Sequence, residues 1–207
     1  MALIDEHIIK RIEKDNAKAG DKLFIVVAYD FPSEYRKGID KETGDMYRSR
    51  RLSASRYIIL NAVRLNDSVY IIHARRVPHI LNRIEDSYKD MTKDINVKIV
   101  GNVYSDVAER IIRDCIEELL TSVKAELDEI EMKLEDYRDG DIDDDEMKTY
   151  KNKSYLIKHK MNCIAERVAD LEVLNGVEAN KCRERYGRLD SFRKDILQEV
   201  SKVMKVM

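Results

Sequence analysis

The sequence has no tryptophan, two prolines, seven glycines and three cysteines among 207 residues. Each scarcity excludes something. Few helix breakers and a charged, aliphatic-rich composition describe a folded, mostly helical chain rather than a disordered one. No stretch approaches the roughly eighteen apolar residues that cross a bilayer, so no membrane span is expected. The start, "MALIDEHIIKRIEKDN", has acids where a signal peptide needs a basic start and an apolar run. Cys115, Cys163 and Cys182 are an odd number without C-x-x-C spacing, which fits reduced thiols in a cytoplasmic protein. The G-x-S-x-G, G-x-x-x-x-G-K and G-x-G-x-x-G patterns are all missing. With four histidines besides, little is left for acid–base or cofactor chemistry. The expectation is a protein without a cofactor, and a non-enzymatic one in preference to an enzyme.

What is there is charge, unevenly placed. The net charge of −2 hides a partition. Residues 125–146 carry two basic and twelve acidic side chains, while residues 147–207 carry fourteen basic and eight acidic ones. Upstream, residues 48–83 hold eight arginines, no lysine and one acid, Asp67. Arginine suits phosphate because its planar fork bonds two oxygens at once and stays charged at any relevant pH. Arg48, Arg50, Arg51, Arg56, Arg75 and Arg76, interleaved with Tyr47, Tyr57 and Tyr70, are therefore the candidate phosphate contacts. The competing reading is a solvated face, or arginines paired with the acidic segment.

The apolar pattern divides the chain. Residues 2–17 carry Ile8, Ile9 and Ile12 at helical spacing. Leu23–Tyr29 is a continuous apolar run closed by Asp30 and Pro32, which predicts a buried strand. A polar loop over 33–46 leads to a helical pattern from about Leu52 to Leu65, ended by "NDS". A second strand in "SVYIIH", a helix over "ARRVPHILNRIEDSYKD" with Pro78 in its first turn, and a third strand in "INVKIVGNVY" follow. Strand–helix–strand–helix–strand predicts an α/β sandwich of the ferredoxin-like kind.

The second half changes period. Ile116, Leu120, Val123, Leu127, Ile130, Leu134 and Tyr137 alternate spacings of four and three; so do Met147, Tyr150, Ser154, Ile157, Met161, Ile164, Val168 and Leu171. Two such seams around "RDGDIDDDE" predict a long antiparallel coiled-coil helical hairpin, with Gly140 as stop and Asp143 or Asp144 as N-cap. C-terminal helices over 178–205, with Leu189, Phe192, Ile196, Val200 and Val203 inward, pack back on it. The full expectation is an α+β chain: a ferredoxin-like domain over 1–104, a hairpin arm over 105–175, and C-terminal helices over 176–207.

Metal readings are thin. Asp139, Asp141, Asp143 and Asp145 alternate, but Gly140 occupies the second place of a calcium loop, so a solvated turn with capping acids accounts for them. His159 and Cys163 stand one helical turn apart with no further ligands at a zinc spacing. Asp30, directly after the first strand, is the remaining metal candidate, set against a plain turn residue.

The stretch "FIVVAYD…RSRRLSASRYIILNAVRLNDSVYIIHARRVPHILNRIEDSY…INVKIVGNV" followed by a long helix resembles the N-terminal domain of ChrB-type chromate-resistance regulators. Its core, "YD…R…LN…SVY", is also similar to the small CRISPR adaptation subunit and to the middle domain of the phenylacetate-type repressor. The resemblance implies a ferredoxin-like fold and a regulator that works on nucleic acid; through the CRISPR subunit it implies Asp30 as a metal ligand. Against that subunit, the chain shows no second hairpin strand after "SVY" and adds the long helical seams.

The leading expectation is a cytoplasmic, nucleic-acid-associated regulatory or accessory protein, acting as a homodimer. One alternative is an interaction module that binds another protein through the helical hairpin. The other is a metal-dependent nuclease using Asp30.

Overall fold

The structure is a computed structural model that describes residues 6–30, 58, 61–66, 68–87 and 96–203. The chain is α+β, with four antiparallel strands and three long helices among the described residues. It divides into two compact units, Met1–Ile111 and Ile112–Met207.

In the first unit, α1 (Glu6–Lys18) turns its stripe inward at Ile9 and Ile12. It stops at Gly20, whose φ of +60° is the left-handed conformation a helix C-terminus favours. Buried Asn16 then ties helix to strand. Its Nδ2 donates to Asp21 Oδ1 at 2.7 Å, and its Oδ1 accepts the Leu23 N–H at 3.2 Å. β1 (Phe24–Asp30) pairs with a strand on each edge, and side chains on both its faces are covered, Phe24 on one and Ile25 and Val27 across the pleat, which suits an unbroken apolar run.

The expected helix over Leu52–Leu65 is corrected at its end. Val63–Asn66 is a strand, β2, hydrogen-bonded to β3 (Val69–His73) with Val63 opposite Ile71 and Arg64 opposite Tyr70. Ile58 and Asn61 before it are helical. The turn is set by Asn66, whose Oδ1 accepts the Ser68 N–H at 3.1 Å. The hairpin partner of "SVY" thus precedes it instead of following it, and the sheet has four strands where three were expected. Their order is β2-β3-β1-β4, with β4 at Asn96–Val103. Between β3 and β4, a 3-10 turn over Ala74–Arg76 leads into α2 (Val77–Ser87). Pro78, second in that helix, costs no hydrogen bond there. Ile25, Val27, Tyr70, Ile72 and Val97 on the sheet enclose a core with Ile58, Ile80, Leu81 and Ile84. Tyr29 and Tyr70 stack across two strands at 5.3 Å, with their hydroxyls 3.2 Å apart.

The second unit comprises most of α3 (Ser105–Asp139), with α4 (Asp144–Leu174) and α5 (Gly176–Val203). The seam residues Ile116, Leu120, Val123, Leu127, Ile130 and Leu134 are buried, as are Met147, Ile157, Met161, Ile164, Val168 and Leu171. Lys153 reaches Glu129, while Lys160 reaches Glu126 and, at 2.8 Å, Ser122. As residue numbers rise on α4 they fall on α3, so the two helices run antiparallel. Gly140, at φ +86°, ends α3, and Asp143 caps α4 by accepting the Asp145 and Glu146 N–H groups at 3.0 and 2.9 Å. One helix, α5, covers the C-terminal segment, its start capped by Asn175, which accepts the Glu178 N–H.

This unit holds three free thiols, Cys163 and Cys182 buried and Cys115 half-buried. Burial pushes Cys115, Cys163 and Cys182 above the ordinary thiol value, although the Arg167 guanidinium pulls the first two back. Native protein at neutral pH should therefore react with iodoacetamide far more slowly than unfolded protein, by mass spectrometry. Equal rates would mean that the thiols are not enclosed.

Candidate nucleic-acid interface

Of the six candidate arginines, Arg48, Arg50, Arg51 and Arg56 lie outside the described residues. Arg75 and Arg76 fall in the 3-10 turn that follows β3, and the construction of that turn is specific. His73 ends β3 completely buried, its ring edge-on to Phe24 at 4.8 Å. Its Nδ1 accepts the Arg75 N–H at 3.2 Å, which assigns the proton to Nε2. Nε2 then donates to the Asp21 carbonyl at 2.8 Å, and the Ala74 N–H donates to the Leu23 carbonyl at 2.9 Å. Both ring nitrogens are satisfied only in the neutral form.

The turn therefore presents its arginines from a fixed base. Arg75 is exposed and makes no ion pair among the described residues. Arg76 is half-buried, its Nη1 directed to the Asn61 carbonyl at 3.5 Å. His79 and Arg83, outside the residues the sequence singled out, are exposed one helical turn apart on α2. Their four-residue spacing is the signal that would have found them. Arg64, exposed on β2, bonds the Asn66 carbonyl at 3.2 Å.

Desolvation lowers the His73 pKa from its ordinary 6.5, and the charges of Arg75 and Arg76 lower it further against the opposing Asp21 contacts. Below 6.5 the unfolded imidazole takes a proton that the folded one refuses, so the unfolded state binds more protons. Stability is fully present above 6.5 and is lost as pH falls toward the lowered folded value. Urea melts at stepped pH should show this loss in wild type and a smaller one in His73→Gln; identical pH profiles would sink the assignment.

Asp30 is the last residue of β1, opposite Asn96. Among the described residues no group of three His, Cys, Asp or Glu side chains is placed to hold a metal ion. In the acidic turn, Asp143 serves as the N-cap and Asp145 pairs with Lys148 at 2.8 Å. No described helix is long and apolar enough to cross a membrane. Sequence reasoning missed Arg167 and Asp170, both buried on α4. Nothing in the pattern distinguishes them from surface charges.

Compared with protein-family models, with curated proteins and with solved structures, the chain matches none.

Proposed function

We propose that the protein is a non-enzymatic, cytoplasmic, nucleic-acid-associated regulatory or accessory protein. It holds backbone phosphates through Arg75 and Arg76 together with Arg48, Arg50, Arg51 and Arg56. Its sheet unit is ferredoxin-like and its helical unit is a coiled-coil arm. Strand order β2-β3-β1-β4, helical residues before β2 and a helix before β4 support the first part. The continuous buried seams of α3 and α4 support the second.

The observation that carries the functional reading is the state of Arg75. Arg138, Arg183, Arg185 and Arg193 of the helical unit are each engaged by an acid, at Glu199, Glu172, Glu117 and Asp190 respectively. Arg75 is exposed on a turn locked by His73 and has no such partner among the described residues. An unneutralised guanidinium on a fixed base, in a segment holding one acid against eight arginines, is arranged for an external anion.

Fluorescence anisotropy with labelled duplex and single-stranded DNA tests it. Binding at low salt should weaken steeply as salt rises, with a log–log slope of about −0.9 per phosphate neutralised on duplex. Replacing Arg48, Arg50 and Arg51 together by alanine should flatten that slope with an unchanged circular dichroism spectrum. Absence of binding to either strand form at low salt removes the reading and leaves the interaction-module alternative.

A further inference from the structure

A groove of about 300 Å³ lies in the helical unit between α3 and α5. Its floor is apolar, from Leu120, Leu189 and Phe192, and its rim is cationic, from Lys124, Arg185 and Arg188. Leu189 and Phe192 are half-buried, so the floor is incompletely covered. On the rim, Lys124 pairs with Asp128 at 2.6 Å and Arg185 pairs with Glu117, whereas Arg188 is exposed without an ion pair among the described residues. Such a groove selects an apolar side chain set among carboxylates.

The chain carries that combination elsewhere, in the loop joining α3 to α4. Ile142, half-exposed, is flanked by Asp139, Asp141, Asp143 and Asp145. Asp143 is occupied as the α4 cap and Asp145 by Lys148, but Asp139 and Asp141 are exposed and make no ion pair among the described residues. The loop has a defined shape, since the Asp141 N–H donates to the Asp136 carbonyl at 2.8 Å.

Within one molecule the two cannot meet. Nineteen residues of unbroken α3 separate Leu120 from Asp139, about 28 Å along a rigid helix. We propose that the groove receives the acidic loop of a second copy, with Ile142 over the Leu120–Leu189–Phe192 floor and Asp139 and Asp141 against Arg188, Arg185 and Lys124. If each copy fills the other's groove, the pair is two-fold symmetric and the axis crosses α3 midway, near Ile130. Asp128, paired with Lys124, and Glu131 are exposed on that stretch of α3, which offers no apolar surface of its own at either position. The proposed contact consists of two equivalent loop-and-groove sites.

The test is a charge swap on nucleic-acid-free protein, read as mass in solution by light scattering at low salt. Wild type should be a dimer. Arg188→Glu should raise the dimer dissociation constant by at least about tenfold, and Asp141→Arg should do the same, because each homodimer then brings like charges together twice. Mixing the two variants should restore a heterodimer, since one mismatch-free groove meets an acidic loop while the reversed pair meets with opposite charges. Ile142→Asn, which keeps every charge, should also weaken the dimer. Asp141 lies in an exposed loop, so its variant tests association without testing folding. A monomeric wild type, or variants that stay dimeric alone, overturns the proposal; so does a mixture of the two that remains monomeric. All of these outcomes are independent of whether the protein binds nucleic acid.

Discussion

Replacing Leu127 by aspartate is expected to unfold the helical unit or come close to it. Leu127 is 0% exposed in the middle of the α3 seam, one turn from Val123 and Ile130, which are equally buried. A carboxylate there has no partner and no water, a cost of several kcal/mol. Domains are stable by only about 5–15 kcal/mol in total, so that loss takes much of the margin. Leu156→Asp is the matched control. Leu156 lies on α4 at 61% exposure, so its replacement should shift stability by less than about 0.5 kcal/mol. Thermal melts followed by circular dichroism should separate the two variants widely. Coincident melts would mean that the four-and-three spacing does not mark the buried seam.

Phe24→Ala should produce the largest effect in the sheet unit, with a cost of about 3–5 kcal/mol for the ring and the cavity it leaves. Phe24 is 1% exposed on β1, the strand that bonds to both β3 and β4, and its ring meets His73 edge-on. The same substitution has a second consequence. Desolvation is the largest cause of the lowered His73 pKa, so water entering the cavity should bring that pKa back toward 6.5. A nuclear magnetic resonance titration of the imidazole reads this directly. A destabilised variant with an unmoved His73 would show that the ring is desolvated by something other than Phe24.

The long helices were legible because their evidence is local and repeated. A seam such as Ile116 to Tyr137 states its period several times over, and Gly140 and Asp143 punctuate it with residues whose conformational preferences are strong. β2 was not legible. It has four residues, only Val63 is buried, and its apolar spacing continues the helical pattern that precedes it. What makes it a strand is pairing with Ile71 and Tyr70, which a local reading does not contain. The candidate site divides in the same way. Arginine density is visible in the sequence, but that Arg75 is exposed and Arg76 half-buried beside the Asn61 carbonyl is a tertiary fact no local window contains. Arg167 is buried on α4, and nothing in the local pattern marks it, since arginines are rarely buried. The groove belongs to two helices separated by a third, so no window of sequence could contain it.

The measurement that bears most directly on the central claim is the salt dependence of duplex binding for wild type and for Arg75→Ala/Arg76→Ala. Arg75 is exposed and makes no ion pair among the described residues, while half-buried Arg76 directs Nη1 to the Asn61 carbonyl, so the circular dichroism spectrum and melt of the double variant are recorded beside its binding. If these arginines neutralise phosphates, wild type should show a steep log–log slope, and the double variant should bind more weakly with a slope flatter by about one to two units. A double variant with the wild-type slope and affinity, or a wild type that does not bind duplex at low salt, would contradict the account.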